Sequence, residues 1–144
     1  MNMKALFPAL LVLFVLGVST GHAEIVVVAG ADNETRALSR EDVINIFMGR
    51  YRRFPNGQEA VPLEREGDAP ERQRFYQSLL NKRLEEIHAY WARLRFSGRT
   101  APPRVIPGGR DAYLRAITET PGAIGYVEGG DLPRDLRVLL SLPE

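Results

Sequence analysis

The chain contains no cysteine. Disulfide staples, thiol catalysis and iron–sulfur clusters are excluded, so stability has to come from packing. Histidine is nearly as scarce, since beyond the N-terminal segment only His88 occurs. A structural zinc site of the usual Cys/His type therefore has no ligand set. His88 lies beside Ile87 and close to Trp91 in a helical stretch and reads as an ordinary helix residue. Charge of one sign is also missing: 19 Lys and Arg stand against 18 Asp and Glu. That balance argues against nucleic acid and against an anionic membrane surface as partners. The basic residues are nearly all arginine, which compositional bias explains as well as anion recognition does. There is no Ser-His-Asp or Cys-His set and no nucleotide-binding fingerprint. The carboxylates Glu64, Glu66, Asp68 and Glu71 crowd one stretch, but read as cap and surface residues rather than an acid–base pair. No enzymatic activity and no cofactor is read from the sequence.

What is present begins with a targeting segment. Lys4 precedes an apolar run from Ala5 to Val18, and Gly21-His22-Ala23 is a small-x-small cleavage site. Residues 1–23 read as a secretory signal peptide, too short and wrongly flanked for a membrane span. Residues 24–144 then form one domain of ordinary size, periplasmic or secreted, able to bury a core.

That domain opens with Glu24–Ala29, a β-branched run that reads as a buried strand, followed by the polar loop Gly30–Thr35. Loops at the carboxyl ends of such strands are where open α/β sheets bind ligands, which makes Asp32 and Asn33 candidates. Ser39 is an N-cap with Asp42 as capping-box partner, and Leu38 and Val43 can form a hydrophobic staple around it. A helix from about Arg40 to Met48 follows, stopped by Gly49. Val61 and Leu63 then give a strand that ends in a polar turn at Gly67. Asp68 is a candidate N-cap, with Glu71 as its partner and Pro70 in the first turn. The backbone N–H groups of such a helix start are an anion site, and Arg65 and Arg72 flank it. An ordinary capped connection with solvated arginines is the alternative.

The helix from Ala69 carries Phe75, Leu79 and Leu80 inward and breaks near Asn81. Leu84, Ile87, Trp91 and Leu94 form the buried stripe of a second helix, running to about Phe96. Val105-Ile106 is a short strand, and Pro107-Gly108-Gly109 is a second glycine-bearing turn before a helix from about Asp111 to Thr118. Ala123–Val127 and Leu136–Leu142 are the last two strands. The order β-α-β-α-α-β-α-β-β predicts an α/β fold, a mostly parallel sheet flanked by helices on both faces.

Two segments carry a family resemblance. Leu38-Ser39-Arg40-Glu41-Asp42-Val43-Ile44-Asn45-Ile46-Phe47-Met48-Gly49 resembles the L-S-x-x-x-(V/I)-x-x-I-F-x-G signature of the phosphate-type substrate-binding proteins of ABC transporters. Thr120-Pro121-Gly122-Ala123-Ile124-Gly125-Tyr126-Val127 resembles their P-G-A-I-G-Y-V strand. Between them, Val61–Phe75 corresponds to the strand and loop that run R-x-D-G-S-G-T into the phosphate-holding helix. The resemblance implies one lobe of a two-lobed periplasmic-binding-protein-like fold, with Arg65 at the family arginine. The family's Ser-Gly-Thr hydroxyl donors are replaced near Asp68-Ala69-Pro70-Glu71, where Glu71 adds a negative charge.

Two functional readings result. The first is a periplasmic solute-binding protein for phosphate or a related oxyanion, linked to ABC transport. Its site would gather Arg65, Gly67, Asp68 and Arg72, completed by Asp32, Asn33, Gly108 and Gly109. The second is an envelope accessory or sensory module that binds a protein partner through the same fold.

Overall fold

The computed structural model describes residue 21, residues 23–67 and residues 69–143. The segment read as a signal peptide thus lies outside the described residues apart from Gly21 and Ala23, and so does the expected N-cap Asp68. Nine elements follow in the anticipated order: β1 (Ile25–Gly30), α1 (Arg40–Phe47), β2 (Val61–Arg65), α2 (Ala69–Leu80), α3 (Leu84–Arg95), β3 (Arg104–Ile106), α4 (Gly109–Glu119), β4 (Ala123–Glu128) and β5 (Leu136–Leu142). The five strands form one sheet in the order β3-β2-β4-β1-β5. β2 runs parallel to β3 and to β4. β1 is antiparallel to both of its neighbours, β4 and β5. Four strands therefore share one direction and β1 alone opposes them.

Local chemistry sets the boundaries. The Ser39 side chain accepts from the Asp42 N–H at 3.0 Å, and the Asp42 carboxylate accepts from the Ser39 N–H at 3.0 Å, a complete capping box. Leu38 and Val43 are both buried beside it, as a staple requires. Asn81, with φ 54°, ends α2 in the left-handed region that Asn tolerates.

Helices cover both faces of the sheet. On one face α1, α2 and α3 pack Val43, Phe47, Phe75, Leu79, Ile87 and Trp91 over Ile25, Val27 and Ala29 of β1. The Phe75 and Tyr126 rings stack there at 3.8 Å, and Phe47 meets Phe75 edge-on at 4.9 Å. On the other face α4 alone packs Tyr113, Leu114 and Ile117 over Val26, Val28, Leu63 and Val127. Successive residues of β1 thus point into two cores, which is why its sequence is an unbroken apolar run.

Candidate functional site

Because β2, β3 and β4 are parallel, their carboxyl ends share one end of the sheet. β2 continues into α2 on one face, whereas β3 continues into α4 on the other. Adjacent strands whose helices leave on opposite faces open a crevice at their carboxyl ends, the usual ligand position in open α/β sheets. The Arg65–Gly67 turn and the Gly108–Gly109 turn meet at this crevice, joined by a Glu66 N–H to Ile106 C=O bond of 3.0 Å. Gly108 is the N-cap of α4 at φ 99°, a conformation that favours glycine, and it offers no side-chain cap to the first N–H groups of the helix. The starts of α2 and α4 thus lie at the same end of the sheet as Arg65, each with the positive end of its dipole.

Asp32 and Asn33 are not there. β1 is reversed, so Ile25 pairs with Glu128 while Ala29 pairs with Ile124. The loop after β1 therefore sits at the opposite end of the sheet, in a small cavity of about 130 Å³ beside Thr120–Ala123. An apolar run shows that a strand is covered on both faces but carries no information about its direction. Asn33 is buried and structural: its Oδ1 accepts from the Thr35 N–H at 2.8 Å, and its C=O accepts from Arg137 at 2.6 Å. The expected set is thus split, with Arg65, Gly67, Arg72, Gly108 and Gly109 at one end and Asp32 and Asn33 at the other.

The crevice is lined by ion pairs that local sequence does not disclose. Glu64 and Glu71 were expected on the surface, yet each is only 7% exposed. Arg65 Nη1 lies 3.6 Å from Glu71 Oε2, and Glu71 Oε1 accepts from the Glu128 backbone N–H at 2.7 Å. Arg72 Nη2 lies 3.3 Å from Glu64 Oε2 and also reaches the Arg65 C=O at 3.4 Å. Tyr76 donates its hydroxyl proton to Glu64 Oε1, and Arg74 pairs with Glu128. The first two turns of α2 thus present Glu71, Arg72 and Arg74 to the ends of β2 and β4. The available signal was the strand itself, because Glu64 shares a face of β2 with buried Pro62 and must go inward with it.

Burial is the largest influence on Glu64 and raises its pKa, while the Tyr76 hydrogen bond and the Arg72 charge oppose this without cancelling it. A carboxyl raised in the fold holds its proton more tightly folded than unfolded, so its contribution is complete below the ordinary Glu value and is lost as pH rises through the folded value. The expected result is a decline in unfolding free energy with pH, starting near pH ~4, that Glu64→Gln removes. Urea titrations across that range measure it; an unchanged pH profile in Glu64→Gln would assign the decline elsewhere.

The strands also part at this end. Pairing of β2 with β4 is confined to Val61–Ala123 and Pro62–Ile124. Beyond it the Tyr113 hydroxyl fills the gap, donating to the Leu63 C=O at 2.8 Å and accepting from the Tyr126 N–H at 3.0 Å. Gly125 makes the room, because a Cβ there would meet the Tyr113 Oη at 2.4 Å and Ile117 Cδ1 at 2.6 Å.

This architecture is a single lobe of a periplasmic-binding-protein-like fold, α/β with a mostly parallel five-stranded sheet. One solved structure similar to it is an ABC-type phosphate transport receptor from Vibrio cholerae, with a TM-score of 0.61 and 14% identity over 81% of this chain and 45% of that one. Another is a protein designated a phosphate ABC transporter substrate-binding protein, with bound phosphate, from Clostridium perfringens: TM-score 0.61, 15% identity, 82% of this chain and 44% of that one. The chain thus spans less than half the length of either. No family model and no curated protein sequence matches it. Among the described residues no helix is long and apolar enough to cross a membrane.

Proposed function

We propose that this protein is an exported, periplasmic solute-binding protein for phosphate or a related oxyanion, working with an ABC transporter. The observation that carries the reading is the meeting of two helix starts and Arg65 at the crevice between β2 and β3. Arg65 would bind the anion in its plane, and the N–H groups that open α2 and α4 would complete the shell. The fold likeness to two phosphate-transport proteins supports the same reading. Asp32 and Asn33, at the far end of the sheet, have no part in this site.

Glu71 already occupies Arg65, so an incoming anion competes with a carboxylate of the protein itself. Affinity is therefore expected to be weak, in the micromolar to millimolar range. Calorimetry with phosphate and sulfate should give saturable heat, and Arg65→Ala should weaken binding by roughly tenfold or more, the loss of a charge-assisted bond. No heat for any oxyanion at millimolar concentration would end the proposal.

The second reading, an envelope module with a protein partner, draws support from Phe96, 94% exposed, and Tyr51, 57% exposed. A specific envelope protein retained by the wild type and lost by Phe96→Ser would favour it.

A further inference from the structure

The near-zero net charge argues against an anionic membrane surface for the chain as a whole, but it conceals a local segregation. Residues 43–58 hold Arg50, Arg52 and Arg53 without one Asp or Glu, and residues 87–103 hold Arg93, Arg95 and Arg99 without one either. The fold joins these two stretches. The Tyr90 hydroxyl donates to the Met48 C=O at 2.6 Å, the Thr100 hydroxyl donates to the Gly49 C=O at 3.0 Å, and Arg52 donates to the Ala101 C=O. Arg50 and Arg93 line one groove, whose carboxylate, Glu86, is already taken by Lys82 at 3.9 Å and by the Arg83 N–H at 2.9 Å. One stretch leads into β2 and the other into β3, and these strands are parallel. The arginines therefore gather towards the amino ends of β2 and β3, away from the oxyanion crevice. Arg50, Arg93, Arg95 and Arg99 are exposed, and none of them forms an ion pair among the described residues.

At this same end α3 stops at Phe96, which is 94% exposed. The turn after it projects from the molecule, since a Cβ on Gly98 would meet nothing within 4 Å. Tyr51, 57% exposed, directly follows Arg50. We propose that this end of the domain docks on a bilayer surface of anionic phospholipid. Phe96 enters the boundary between headgroups and acyl chains, and Arg50, Arg93, Arg95 and Arg99 meet the lipid phosphates. Arg93 and Arg95 also suit the negative end of the α3 dipole, but Arg50 and Arg99 lie outside that helix. A protein partner would call for a contiguous apolar core. In these two stretches the large apolar side chains that are exposed are two aromatic rings set among cations, the composition of an interfacial anchor. Such docking needs no spanning helix.

The test is co-sedimentation with vesicles of phosphatidylcholine containing one third phosphatidylglycerol, against vesicles of phosphatidylcholine alone. Binding should require the anionic lipid and should fall as salt is raised. Arg99→Glu, a change of two charges at the surface, should weaken it by more than tenfold. Phe96→Ala should weaken it by about tenfold, whereas Phe96→Trp should retain it and shift its emission to the blue on the vesicles. Arg115→Glu makes the same charge change on the exposed side of α4 and should leave binding intact. All variants share one N-terminal segment, so that segment cannot account for differences among them. Equal binding to neutral vesicles, no binding at low salt, or an equal loss in Arg115→Glu overturns the proposal. Capture of soluble polyglutamate without capture of anionic vesicles would assign the surface to an acidic protein instead.

Discussion

Tyr113→Phe is expected to be the most damaging single-atom deletion in this protein, lowering the unfolding free energy by about 2–4 kcal/mol. The hydroxyl stands in for a ladder bond that the sheet cannot make. It bridges the Leu63 C=O and the Tyr126 N–H at 2.8 and 3.0 Å, where β2 and β4 have separated. Leu63 is fully buried and Tyr126 nearly so, which keeps water from replacing the bond. A phenylalanine ring would still hold the strands apart, so the two backbone groups could not close on each other. Burial, the largest influence, pushes the Tyr113 pKa far above the usual tyrosine range, so the hydroxyl remains a donor. Urea denaturation measures the loss directly, and a drop in Tm of about 10 °C should accompany it. A loss below about 1 kcal/mol would mean that the strands close or that water enters, contrary to this account.

The same bridge shows where sequence reasoning stops. Element order was legible because each signal is local: the Ser39–Asp42 box, the β-branched run of β1 and the stripe through Ile87 and Trp91 each lie within a few turns of chain. Helix ends fell within a residue or two for the same reason. Direction and partnership are not local. Nothing in Ile25–Gly30 states that β4 and β5 will flank it antiparallel, and that one fact moves Asp32 and Asn33 to the wrong end of the sheet. Tyr113 meets Leu63 across 50 residues, and Glu71 meets Glu128 across 57. Glu71 looks like a surface carboxylate in any window, and only the packing of α2 against the ends of β2 and β4 buries it, whereas Glu64 follows the inward face of β2. Arg65, Gly67, Gly108 and Gly109 were legible because strand, glycine turn and helix start form a local pattern, and parallel pairing of β2 with β3 then brings the two turns together.

Glu71 is the residue on which the proposed function turns. It projects from the first turn of α2 into the position an anion would seek, taking Arg65 at 3.6 Å and the Glu128 N–H at 2.7 Å. A unit negative charge at about 5 Å from a bound oxyanion opposes it by about 3 kcal/mol at an effective dielectric of 20. Solvent at the crevice reduces this, because Arg65 is 27% exposed at its side chain. Glu71→Gln is therefore expected to strengthen phosphate binding by about 10- to 100-fold. The amide oxygen can still accept from the Glu128 N–H, so the fold should persist. Calorimetry on wild type and Glu71→Gln gives the comparison. Glu66→Gln, removing an exposed carboxylate of the same turn, should change affinity far less. Adding Arg65→Ala to Glu71→Gln should cancel the gain, because Arg65 is the cation that the proposed site offers to the anion. If Glu71→Gln binds phosphate no better than wild type, the carboxylate is a structural clamp on β4 and the crevice is not an oxyanion site. If it does bind better, the protein carries its own competitor, and its affinity is set by how readily Glu71 gives up Arg65.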